Sequence, residues 1–240
     1  MKILALYILV FVICLCVPGV AQEQIVSMDS EPHYSLVFSN EYCHAYSVYL
    51  GRLEETKPVV HDHDWVRMTL SGSFEQAWGG TLYSSAGYED PEGYIISFSS
   101  PVNRVSLRNP HSDPYRGMIV EIMKPDDSRN RLYDPSLAHF DRIVGAGVDP
   151  HVSYVNSLNK TSVEIMNVQL TGEDSKKLDS EGVGGLLVAI TDVNLTYRLK
   201  NGKTGDVHLS KGDVQWFAGS APAMTNSDKE TVRFAFLEMK

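Results

Sequence analysis

The sequence predicts an all-β protein made of two tandem barrels, and three observations carry that expectation. Apolar and polar residues alternate with a period of two through most of the chain, as in Tyr42–Leu50, Trp65–Leu70, Tyr94–Phe98 and Gly117–Met123, and again in Val163–Leu170, Leu186–Leu195 and Val232–Met239. Helical periodicity is scarce, and its best example is the short piece Pro135–Phe140. The pattern also repeats. Val48 and Leu50 fall on Val168 and Leu170, and Met68-Thr-Leu70 falls on Val188-Ala-Ile190, all at an offset of 120. Asn109, Arg116 and Glu121 fall on Asn226, Arg233 and Glu238 at 117. Shortened turns account for the drift of three, so two copies of one all-β domain are the economical reading.

The chain begins with Met1-Lys2 and an apolar run from Ile3 to Val17, broken by Pro18-Gly19 before Val20-Ala21. This reads as a secretory signal peptide cut after Ala21, and so as a secreted or periplasmic protein that is not held in a membrane once the signal is removed. Residues 1–21 are then signal, 22–124 the first domain, 125–142 a linker and 143–240 the second domain. Cys14 and Cys16 leave with the signal, so Cys43 is the one cysteine of the mature chain and no internal disulfide can form. Loss of Lys2 leaves 20 basic against 30 acidic residues, a net charge of −10. Lysine and arginine are nowhere concentrated, which argues against nucleic acid or an anionic membrane surface as partner. Asn201-Gly202, between Leu195–Lys200 and Val207–Leu209, reads as a type I′ hairpin turn.

Two ordered sets of residues carry a resemblance. Gly51-x9-His61-Asp-His63-x8-Gly72 resembles the first cupin motif, while Gly93, Phe98-Ser-Ser-Pro101 and Asn109 resemble the second. Lys211-Gly212-Asp213, Gly219 and Asn226 resemble the second motif again in the other half. The resemblance implies two jelly-roll barrels, a bicupin. It also implies a divalent metal (Fe, Mn, Ni or Zn) on three histidines and a glutamate in such barrels. His61 and His63 are the candidate metal ligands, and on a regular strand both would point the same way with residues 65 and 67. The family's glutamate position is held by Arg67, and its third histidine position falls on Val105 or Ser106. His44 or Glu121 could complete a set. In the second half the matching positions are Glu181, Val183 and Pro222, so this barrel reads as metal-free, a structural or dimerising partner.

Arg67 is also a candidate ligand-binding residue, because a guanidinium inside a barrel needs an anion, either a carboxylate of the protein (Glu121 or Asp64) or a ligand's carboxylate or phosphate. Arg104, near the barrel mouth, could supply a second positive group, or simply face solvent. Tyr42, Tyr46, Tyr49, Trp65, Trp78 and Tyr83 could stack on a flat ligand or fill the core. His33, His111, His139 and His151 stand in loop-like contexts and read as surface residues. The functional expectation is a secreted bicupin that holds a small, anionic ligand in its first barrel. The alternative is a divergent metal-dependent enzyme (dioxygenase, isomerase or lyase) using His61 and His63. A homodimer is left open.

Overall fold

The computed structural model describes residues 24–78, 81–83, 92–98, 104–123, 143–144, 154–159, 163–172, 174–178, 182–219 and 221–240. The signal segment, the linker and the Pro135–Phe140 piece lie outside them. Among the described residues the only helical turn is the 3₁₀ segment Met28–Ser30, and no helix is long and apolar enough to cross a membrane.

The first half contributes β1 (Tyr34–Ser39), β2 (Cys43–Leu50), β3 (Val59–Val60), β4 (Asp64–Ser71), β5 (Glu75–Trp78), β6 (Thr81–Tyr83), β7 (Ile95–Phe98), β8 (Arg104–Arg108), β9 (Tyr115–Ile122) and β10 (Ile143–Val144). The second contributes β11 (Tyr154–Asn159), β12 (Val163–Leu170), β13 (Ser175–Lys177), β14 (Gly184–Ala189), β15 (Val193–Arg198), β16 (Thr204–Leu209), β17 (Val214–Ala218), β18 (Ala223–Asn226) and β19 (Val232–Met239). In the first half β1-β2-β9-β4-β7-β10 form one sheet and β3-β8-β5-β6 the facing one. In the second, β11-β12-β19-β14-β17 and β13-β18-β15-β16 repeat that order. Ile143–Val144, assigned from sequence to the second domain, pairs with Ile95–Ile96 at the edge of the first half's sheet.

The repeat read from the sequence matches strand for strand: β2 and β4 reach β12 and β14 at 120, and β9 reaches β19 at 117. Two asparagines show why those positions recur. Asn109 is fully buried, and its Nδ2 donates to the carbonyls of Leu50, Gly51 and Asp113 at 3.2, 3.1 and 2.8 Å. Its Oδ1 accepts from the His111 amide. Asn226 does the same work with Leu170, Glu230 and the Asp228 amide. Each clamp ties the loop before the last strand to the end of the second strand, satisfying carbonyls that no ladder reaches.

Period-two alternation gives each large sheet two apolar faces. One lines its own barrel. Tyr46, Val48, Leu50, Trp65, Ile119 and neighbours fill the first, and Met166, Val168, Leu187, Phe234, Phe236 and neighbours fill the second. The other faces meet in a third core between the barrels, made by Ala45, Val66, Met68, Met118, Val120 and Ile122 against Ile165, Leu186, Val188, Ala235, Leu237 and Met239. Each of these residues stands at the position matching one in the other half. The contact is therefore isologous in the manner of a two-fold dimer. The turns that open β7 and β17 obey the same symmetry. A Cβ at Gly93 would fall 3.3 Å from Ile190 and one at Gly212 would fall 3.2 Å from Leu70, while Lys211 is ion-paired with Glu92.

Two local expectations need correction. Leu186–Leu195 is not one strand, because the chain turns at Ile190–Asp192 between β14 and β15. The β15–β16 hairpin is not a two-residue type I′ turn either. The Leu199 amide donates to the Lys203 carbonyl and the Gly202 amide to the Leu199 carbonyl, which leaves a three-residue loop. Positive φ falls on Gly202 (83°) and not on Asn201, whose side chain instead accepts from the Lys203 amide.

Candidate functional site

β4 places Trp65, Arg67 and Thr69 on the face that lines the first barrel, and β9 lays Glu121, Ile119 and Gly117 beside them. β2 brings His44 into register with Glu121 on the other side. His61 enters from the short segment between β3 and β4. It is 1% exposed, its ring stacks on Trp65 with centroids 4.1 Å apart, and its Nδ1 lies 3.2 Å from Glu121 Oε1. In the neutral ring that donates Nδ1–H to this carboxylate, Nε2 carries the lone pair. Nε2 is buried and has no hydrogen-bond partner.

His63 does not accompany His61 on a strand. β4 begins only at Asp64, and His63 lies half-buried in the bend before it, so strand alternation does not extend back across residues 61–63. Asp62 is exposed, whereas Asp64 is buried opposite Ile122. Arg104 opens β8 opposite Val60 and is exposed. It does not join Arg67, in keeping with the solvent-facing alternative.

Arg67 is inside the barrel, 5% exposed. Its Nη1 donates to Gln76 Oε1, and its guanidinium carbon sits 4.1 Å from the centroid of Phe74, a cation–π arrangement. The sequence offered Glu121 and Asp64 as its internal partners. It did not offer Gln76 or Phe74, on the strand across the barrel and just before it. Because Gln76 Oε1 is taken by Arg67, the amide turns its NH2 inward, and Nε2 is buried without a partner. Thr69 Oγ1, fully buried on the same face of β4, also lacks one.

Glu121 has its counterpart in Glu238, but the second barrel differs at the other matched positions. Leu187 stands for Arg67, Ala189 for Thr69 and Phe234 for Gly117, while Tyr197, which pairs with Met224 as Gln76 pairs with Leu107, stands for Gln76. Bulk is exchanged as well. Trp65 and Ile119 become Gly185 and Phe236, and a Cβ on Gly185 would lie 2.2 Å from the Phe236 ring. Of the remaining equivalents, Val183 is 47% exposed and Glu181 lies outside the described residues.

The divalent ion that the resemblance implies needs several converging donors. Among the described residues no group of three or more His, Cys, Asp or Glu converges as a metal ion requires. Of the two residues at the third-histidine position, Val105 is sealed in the apolar core beside Val59, and the other is the buried Ser106. Arg67, at the glutamate position, places a fixed positive charge where the ion would need a negative one. The described residues at these positions do not fit a resident metal.

The remaining aromatic and histidine candidates divide by place. Tyr42 and Phe38 stack on Trp216 between the barrels, and the Tyr46 hydroxyl donates to Asp29. Tyr49 is exposed; the side chains of Trp78 and Tyr83 lie outside the described set. His111 is exposed, but His33 is held between Glu31 (2.6 Å) and Glu54 (3.6 Å). His139 and His151 lie outside the described residues.

No known family model matches the chain, and no curated protein matches it in sequence. Solved structures do match. AerE from Microcystis aeruginosa superposes with a TM-score of 0.62 at 14% identity, covering 87% of this chain and 93% of that one. A cupin 2 conserved barrel domain protein from Leptotrichia buccalis gives 0.51 at 12%, covering 86% and 88%. Bacillus subtilis oxalate decarboxylase, a protein with Mn(II) centres, gives 0.57 at 11%, covering 84% and 70%. At such identities the likeness is one of fold. Together with the duplicated sheet order, it shows that the chain has the cupin fold, built as two tandem jelly-roll barrels.

Proposed function

We propose that this protein is a secreted binding module whose first barrel holds a small anionic molecule and whose second barrel is its structural support. One observation carries the reading: at matched positions the first barrel buries Arg67, Thr69 and Gln76, where the second buries Leu187 and Ala189 and sets the partly buried Tyr197. A buried cation with adjacent unpaired donors is costly for folding alone and is the arrangement that receives a carboxylate or phosphate group. Secretion rests on the Met1–Ala21 pattern. The metal-dependent enzyme reading is not favoured, because among the described residues the donor set it needs is not assembled.

The test is calorimetric titration of the purified mature chain with small monocarboxylates, dicarboxylates and inorganic phosphate, beside the Arg67→Leu variant. Binding of at least one anion that the variant loses is expected. Equal binding by both proteins would overturn the assignment.

A further inference from the structure

The interior of the first barrel has two chemically opposite ends. One is a donor end: the Arg67 guanidinium, the Gln76 NH2 fixed inward by that guanidinium, and the Thr69 hydroxyl two residues along the same face. The other is His61 Nε2, buried without a partner, which is an acceptor end when the neutral ring donates its Nδ1–H to Glu121. Trp65, on which His61 stacks, and Arg67 are also two residues apart on β4, so the ends are separated by about 7 Å of strand. An anion alone satisfies the first end and leaves the second a buried acceptor without a donor, which is the costly half of a hydrogen bond. A dicarboxylate would bring its second negative charge beside Glu121.

Resting on the anion-binding reading above, we infer that the ligand is a small hydroxy acid. Its carboxylate lies against Arg67, Gln76 and Thr69, and its hydroxyl donates to His61 Nε2. Trp65 and Glu121 act as positioning residues, the first holding the plane of the imidazole and the second its tautomer.

The experiment titrates the mature protein with lactate, 3-hydroxybutyrate and 4-hydroxybutyrate, each beside its counterpart without the hydroxyl, propionate or butyrate, and with succinate. At least one hydroxy acid should bind about 2- to 12-fold more tightly than its counterpart, the span of one hydrogen bond. His61→Phe keeps a ring against Trp65 and should reduce that ratio to one. Arg67→Leu should lose both. If wild type binds plain and hydroxy acids equally, or prefers succinate, the hydroxyl assignment is wrong while the anion site stands. If no acid binds, this inference fails, and if inorganic phosphate does not bind either, the anion reading fails with it. Imidazole nitrogen NMR of the wild type gives a readout that does not depend on a variant folding. The His61 proton should reside on Nδ1, and the Nε2 signal should move with hydroxy acid and not with plain acid. A proton on Nε2 would overturn the inference.

Discussion

Replacing Arg67 and Gln76 together by leucine should make the protein more stable while abolishing anion binding. The pair loses the charge-assisted hydrogen bond between its two side chains, about 1.5–3 kcal/mol, and a cation–π contact over Phe74 of about 1–2 kcal/mol. Against this, two buried leucines contribute about 2 kcal/mol each. The guanidinium and the amide no longer have to be desolvated, a penalty of several kcal/mol for the ion. The balance favours the double variant by about 2 kcal/mol, or roughly 4–8 °C in Tm for a chain of this size. Arg67→Leu alone should gain less, since it leaves Gln76 Oε1 buried without its donor. Urea denaturation followed by circular dichroism, with both variants measured beside wild type, reads these differences. A double variant less stable than wild type by 1 kcal/mol or more would mean that the polar pair is structural cement, and the argument for a ligand site would collapse.

Asn226→Ala should cost about 3 kcal/mol, since it removes donors to Leu170 and Glu230 and the acceptor for Asp228; a loss under 1 kcal/mol in chemical denaturation would show that water replaces the clamp. Gly185→Ala should destabilise by about 1–3 kcal/mol, because its new methyl would meet Phe236, and a neutral result would show that the second barrel has room to repack. Burial pushes the Cys43 thiol up from 9.0 to about 12 and raises the Tyr34 phenol, through burial first and Tyr115 next. The folded state therefore keeps its protons where the unfolded chain releases them. This stabilisation is complete below about pH 9 and is lost as pH rises toward about 12, at about 1.4 kcal/mol per pH unit per group. Urea midpoints that stay level between pH 9 and pH 11 would contradict it. Metal titration of the tag-free protein should show no tight stoichiometric site for Mn, Fe(II), Ni or Zn, and a single tight site would reverse the fit argument.

The fold was legible because its signals are local and recur: period-two apolarity, glycines at turns and the paired asparagines at an offset of 117 appear twice in order. The site was legible only in part. His61, Arg67 and Glu121 could be named, but the face each shows depends on where a strand begins, and β4 starts one residue after His63. Alternation counted back from Arg67 therefore put His61 and His63 on one face of a strand that does not reach either of them. Gln76 and Phe74 were missed because they approach Arg67 across the barrel, and such a contact leaves no trace in sequence spacing. The one available hint was a polar glutamine at a strand position that the second half fills with an aromatic. The core between the barrels was also unseen, since residues read only as part of apolar strand alternation turned out to serve a second interior.

That shared interior limits how the two halves can change. On the faces that meet, every residue has its counterpart across the pseudo-two-fold axis: Ala45 is small where Ile165 is large, and Met118 is large where Ala235 is small. Such surfaces drift in reciprocal steps, whereas a barrel's inside is private to its own half. Divergence of chemistry is therefore channelled inward, and one half has become polar within while its twin has been packed with phenylalanine. The same geometry dictates how a half would behave by itself. Freed from its twin, either sheet would expose an apolar face already shaped to receive a copy of itself, and a severed half would recover as a homodimer the contact that the intact chain makes within one molecule.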